Sequence, residues 1–211
     1  MCIWLSPQIQ FKDNPGSVAD GTEEVRKETR EHLRLNVDWI KLFATGGFGS
    51  YGTIPGASSY SIEEMKVAVQ EASNLGIPVA AHAHGKEGIM NALKAGVKSI
   101  EHATFLDQEC IDMIKEKGAF LSMDLYAAYY DWFEKGTVYE DKQLEGSNEE
   151  QYAALEKKFK TAYDQGVPMV FSTDAGEFPH GLNARQFKLM VKAGMKPIDV
   201  IRSATITAAQ L

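Results

Sequence analysis

Short, almost wholly apolar runs alternate along this chain with longer segments whose apolar residues recur at helical spacing. The runs are CIWL (2–5), DWIKLFA (38–44), IPVAAHAHG (77–85), SIEHA (99–103), AFLSMDL (119–125) and VPMVFST (167–173). Their lack of polar alternation predicts strands buried on both faces. The first could equally be the remnant of a strand. Between them the pattern predicts helices. One starts at Thr22, which caps an acidic first turn, and runs to about residue 35. Ser61-Ile-Glu-Glu64 and Ser147-Asn-Glu-Glu150 are capping boxes, with stops at Gly76 and Gly166. A short helix over 86–95 ends at Gly96, and Asp107 caps another that reaches Lys117 before Gly118. Helices over 183–193 and 197–209 close the chain.

Strand–helix alternation predicts an α/β fold with a parallel sheet and outer helices. A doubly wound open sheet gives the same pattern. Polar residues at the strand ends favour a barrel. Lys41, His82, His102 and Asp174 lie in or just after four different strands, mostly towards the C-terminal end, where (β/α)8 enzymes gather their chemistry.

Composition narrows the function classes. With 22 basic and 29 acidic residues the net charge is −7, and no Lys/Arg cluster suggests nucleic acid or anionic membrane as a partner. No apolar run is long enough to span a bilayer. Two cysteines, Cys2 and Cys110, lack metal or redox spacing, which fits a reducing, cytoplasmic compartment. The first residues lack the basic and apolar regions of a signal peptide. The 211 residues are expected to form a single domain, 1–211.

His82 and His84, two apart at the end of a buried strand, share a face and are costly as filling. They are natural metal ligands, or a ligand beside a substrate-holding neighbour. Lys41 interrupts an apolar run. It either snorkels to solvent from a strand end or is paired, neutralised or carboxylated. His102 and Asp174 each close an apolar run, and a carboxylate at Asp174 must be hydrogen-bonded, metal-bound or a base. Imidazoles with oxygen ligands suit Zn²⁺ or a similar first-row ion, which acidifies water and polarises a carbonyl. Asp174 could then carry the proton to a leaving nitrogen. The glycines of TGGFGSYG (45–52) would let backbone approach the site, a phosphate cradle being the weaker alternative. The aromatics of 126–139 form either a pocket wall or a packing helix. His180 is either a neighbour of the site or part of loop structure.

DWIKLFATGG, PVAAHAHG with SIEHATFLD, and FSTDAG with PHGLNA resemble the amidohydrolase superfamily, in its imidazolonepropionase-related, prolidase-like branch of metal-dependent Xaa-Pro dipeptidases. The resemblance implies a barrel of the metal-dependent hydrolase type. It also implies a carboxylated Lys41 bridging two metal ions, His82 and His102 as ligands of the fifth and sixth strands, and Asp174 as ligand and proton shuttle. His84 then falls outside the ligand set, as a substrate or neighbouring residue, with His180 on the same side. The implied substrate is a dipeptide or other small molecule, and the implied cofactor one or two Zn²⁺ or similar ions.

The family's first strand carries a His-x-His pair. Here the only such pair is His82-Ala83-His84, and the remaining histidines are His32, His102 and His180. The expected fold is therefore a partial barrel, strands three or four to eight, without the family's β-sandwich. Its exposed edge would favour homo-oligomers. Two alternatives stay open: a one-metal cyclic-amide hydrolase or deaminase with unmodified Lys41, and a non-catalytic fragment.

Overall fold

The computed structural model describes residues 2–6, 17–48, 53–138 and 146–211. Residues 7–16, the last four residues of TGGFGSYG and Tyr139 lie outside them. The chain divides into two compact units, Met1–Ala119 and Phe120–Leu211.

The first unit carries strands β1 (Cys2–Ser6), β2 (Ser17–Val18), β3 (Trp39–Phe43), β4 (Val79–Ala83) and β5 (Ser99–His102). They pair in the order β2-β1-β3-β4-β5, every pair parallel. Helices α1 (Gly21–Arg34), α2 (Ile62–Ser73), α3 (Lys86–Ala95) and α4 (Gln108–Lys117) follow β2, β3, β4 and β5 in turn. Ile40, Leu42, Ala81, Ile89, Leu93 and Ile100 are fully buried, which explains the unbroken apolar runs. The Ser61 capping box forms as predicted, and so does the Asp107 cap. Helix α1 begins one residue earlier than Thr22 implied, with Asp20 at its N-cap. There the Glu24 carboxylate accepts from the Asp20 backbone (3.0 Å) and Glu64 accepts from Gly21 (2.9 Å). Carboxylates from within the helix and from α2 thus replace the expected threonine cap. Glu71 of α2 holds α1 through ion pairs to Arg26 and to Arg30, the latter at 2.8 Å.

The second unit contains β6 (Phe120–Ser122), α5 (Leu125–Tyr129), a π-helical turn (Tyr130–Glu134), α6 (Asn148–Asp164), α7 (Arg185–Lys192), α8 (Pro197–Ser203) and α9 (Ile206–Gln210). The Ser147 capping box forms. The expected strand over 167–173 does not. Leu121 and Met169 make one isolated parallel bridge, from Leu121 N–H to Pro168 O and Val170 N–H to Leu121 O, each 2.9 Å. The Phe171 amide points to the other side and donates to Ser203 O (3.2 Å), while the Met123 carbonyl that a second rung would use accepts from Gln186 Nε2 (2.9 Å). The last predicted helix also breaks in two. Ser203 and Thr205 hydroxyls bond back to Val200 O and Ile201 O, competing with the backbone ladder. Tyr126 and Trp132 are buried, Tyr126 edge-on to Phe178 and Trp132 edge-on to Tyr152, so this part of the aromatic run is packing.

Candidate metal centre

In the first unit the parallel register places Lys41 beside Ala80 and Phe43 beside His82. Residues in register share a face, and so do residues two apart. Lys41, Phe43, Ala80 and His82 therefore lie on one face, and the Phe43 and His82 rings meet at 4.6 Å. His82 is also in register with Glu101, so strict alternation would send the next residue, His102, to the opposite face. It does not go there. His102 has φ 72° and Ala103 φ 51°, ending the strand in left-handed backbone. The His102 ring then lies 4.5 Å from His82 and 4.9 Å from His84. Such backbone costs about 1–3 kcal/mol per residue away from glycine, and it persists only where surroundings impose it.

The three imidazoles are held by different means. His82 Nε2 lies 3.1 Å from the Gly46 carbonyl. A carbonyl only accepts, so Nε2 carries the proton and Nδ1 keeps its lone pair. This is how a ligating imidazole is normally oriented, with one ring nitrogen donating to a carbonyl and the other facing the ion. Gly46 is where it is because nothing larger fits: a Cβ there would come within 2.7 Å of the Ile54 backbone. Burial drives the His82 imidazole well below its ordinary pKa, and His102, His84 and Lys41 push the same way. The ring is thereby kept neutral, the form that binds metals. His84 is buried, its N–H donates to Thr45 Oγ1 (3.0 Å), and its Nδ1 lies 2.8 Å from Thr104 Oγ1. Phe48 packs edge-on against it at 4.7 Å. Lys41 is half-buried, between the two burial states expected of it.

In the second unit Asp174 is exposed and has φ 52°. Asp124, at the end of β6, offers a carboxylate oxygen within 4.8 Å of one from Asp174. Sequence reasoning passed over Asp124, although the signal was present: a carboxylate closing the apolar run AFLSM, as Asp174 closes VPMVFST. His180 is exposed. Cys110 is buried with its thiol pushed up to about 12, which leaves it a core residue.

Residues 2–211 match the model of the amidohydrolase family. The ochratoxinase of Aspergillus niger is 37% identical over 202 residues, covering 92% of this chain and 40% of that protein. Its crystal structure aligns with a TM-score of 0.81 at 34% identity, over 92% of this chain and 44% of the other. A Xaa-Pro dipeptidase with bound methionine in the active site aligns at 0.80 and 30% identity, over 97% and 52%. A prolidase complexed with n-methylphosphonate-L-proline aligns at 0.78 and 26% identity, over 93% and 48%. The chain spans less than half the length of the curated relatives it matches. The α/β architecture is that of a partial barrel, and the chain belongs to the amidohydrolase family.

Proposed function

We propose that this chain serves a metal-dependent hydrolase of amide C–N bonds, of the dipeptidase or prolidase type. The observation that carries the reading is the His82 ring, proton fixed on Nε2 by the Gly46 carbonyl and Nδ1 left for an ion, with His102 turned towards it by left-handed backbone. The donor set of the first unit fits a first-row divalent ion such as Zn²⁺: the neutral imidazole of His82, the imidazole of His102, and an amine at Lys41 that carboxylation would convert into an oxygen ligand. When bound, the ion would supply Lewis acidity, polarising the amide carbonyl and acidifying water.

The remaining roles belong to the chain's own side chains. His84, its ring held by Thr104 and walled by Phe48, serves on the substrate side as a hydrogen-bonding group. Asp174 accepts the proton of the attacking water and returns it to the leaving nitrogen, with Asp124 as its neighbouring carboxylate. His180 contributes at most from the loop beyond. The names of the Xaa-Pro dipeptidase and prolidase relatives favour a dipeptide with a C-terminal proline, whereas the ochratoxinase points to a different substrate. A panel of Xaa-Pro and other dipeptides with ochratoxin, assayed on the Zn²⁺-loaded chain and on any longer product of its gene, tests this. Hydrolysis of an amide that stops on chelation is expected. Tight Zn²⁺ binding with no amide cleaved by either protein would contradict it.

A further inference from the structure

Three side chains at and just before the start of α7, those of Asn183, Arg185 and Gln186, make contacts within the second unit that the proposed chemistry does not use. Gln186 is fully buried. Its Nε2 donates to Met123 O (2.9 Å) and its Oε1 accepts from Tyr126 N–H (2.7 Å). These are the backbone groups on either side of Asp124-Leu125. Three residues earlier, Asn183 Nδ2 donates to Thr173 Oγ1 (3.1 Å), on the residue that precedes Asp174, while its Oδ1 accepts from Gly181 N–H (3.2 Å). Arg185 between them bonds the Tyr126 hydroxyl (2.8 Å) and Glu134 (2.9 Å). One short segment therefore grips the chain beside both carboxylates.

The backbone ladder does not do this work. Its bridge ends at Leu121 and Met169, before either aspartate is reached. Two carboxylates with oxygens within 4.8 Å repel each other when ionised, and the separation must be imposed from outside the pair. We infer that Asn183 and Gln186 are positioning residues, a brace that fixes Asp174 and Asp124 in the geometry needed to share a cation or a proton. A buried glutamine satisfied by two backbone groups is rigid, and side chains that orient ligands are worth about 10–100-fold in metal affinity. The inference rests on the role proposed above for Asp174.

The test is Zn²⁺ calorimetry on the 211-residue chain and on its Gln186→Leu, Asn183→Leu and Lys188→Ala variants, with amide hydrogen exchange on each metal-free protein. Lys188 is exposed on the same helix and should leave every readout unchanged. Gln186→Leu should speed exchange over residues 123–126, and Asn183→Leu over 172–175. Both should weaken Zn²⁺ about tenfold or more. If Gln186→Leu does not fold, Gln186→Glu carries the test: it keeps the acceptor for Tyr126 and loses the donor to Met123, and should fall between. A merely structural role would lower the melting temperature and leave Zn²⁺ affinity within twofold, and that result, or unchanged exchange, overturns the brace. A parent chain that takes up no Zn²⁺ overturns the proposed function instead, and exchange alone then decides the brace.

Discussion

The two units position their polar residues by different means. Up to Ala119, parallel ladders run the length of each strand, and register alone puts Lys41, Phe43 and His82 on one face. From Phe120 onward the ladder is one bridge long, and the side-chain amides of Asn183 and Gln186 take over beside the aspartates. A ladder gives geometry through many weak, redundant bonds. A side-chain brace gives it through two or three bonds, each of which a single substitution removes. The difference teaches where each unit is vulnerable: the first to changes that block close backbone approach, the second to the loss of one amide.

The largest effect is expected at the imidazoles. His82→Ala removes a proposed ligand and should weaken Zn²⁺ binding by roughly 100-fold or more, read by calorimetry, beyond the cost of losing an orienting neighbour. Zn²⁺ affinity that survives this change would move the ion away from the first unit.

Next comes Gly85→Ala. A Cβ there would sit 2.2 Å from Gly56 O, so backbone must shift. A loss of about 1–3 kcal/mol in urea denaturation is expected. The same substitution at Gly166, where a Cβ meets nothing within 4 Å but φ is 75°, should cost only the smaller backbone penalty of about 1 kcal/mol. Equal losses would erase the contrast between crowded and merely turned glycines.

A smaller effect is expected from acid. Hydrogen bonding from Arg30 first, then from Arg26, holds the Glu71 carboxyl below its ordinary value against the opposing pull of burial. A depressed folded pKa means the stabilisation is complete above the unfolded value of about 4.3 and disappears as pH falls through the folded one. Melting temperature measured from pH 6 to 3 should therefore fall more steeply for the parent than for Glu71→Gln, which lacks that acid-sensitive bond. Parallel curves would show that the α1–α2 ion pairs contribute nothing.

Smallest is a difference in local opening. Amides of Ser172–Asp174 follow the point where the bridge ends, whereas those of Val79–Ala83 sit in a ladder paired on both sides. Exchange should be faster in the former by at least tenfold, read by mass spectrometry, an opening difference of about 1.4 kcal/mol.

Much of this was legible in the residues. Both capping boxes, the Asp107 cap and the glycine stops form because their signals are local, within four residues of the structure they dictate. The His82–His84 proximity followed from a two-residue period. What escaped depends on distant partners. The 167–173 run is as apolar as any strand here, but the Met123 carbonyl that its second rung would use is taken by Gln186, 63 residues on. The aim of His102 depends on two left-handed residues that neither histidine nor alanine announces. Asp124 is one carboxylate among 29 acidic residues until folding places it near Asp174.

The central claim is that the His82 and His102 imidazoles of the first unit hold a divalent ion. Anomalous diffraction at the zinc edge from Zn²⁺-soaked crystals tests it most directly. The account predicts a peak about 2.0–2.1 Å from His82 Nδ1 and from a ring nitrogen of His102. A peak elsewhere, or His82 with its Nδ1 turned to a protein donor and no ion beside it, would contradict it.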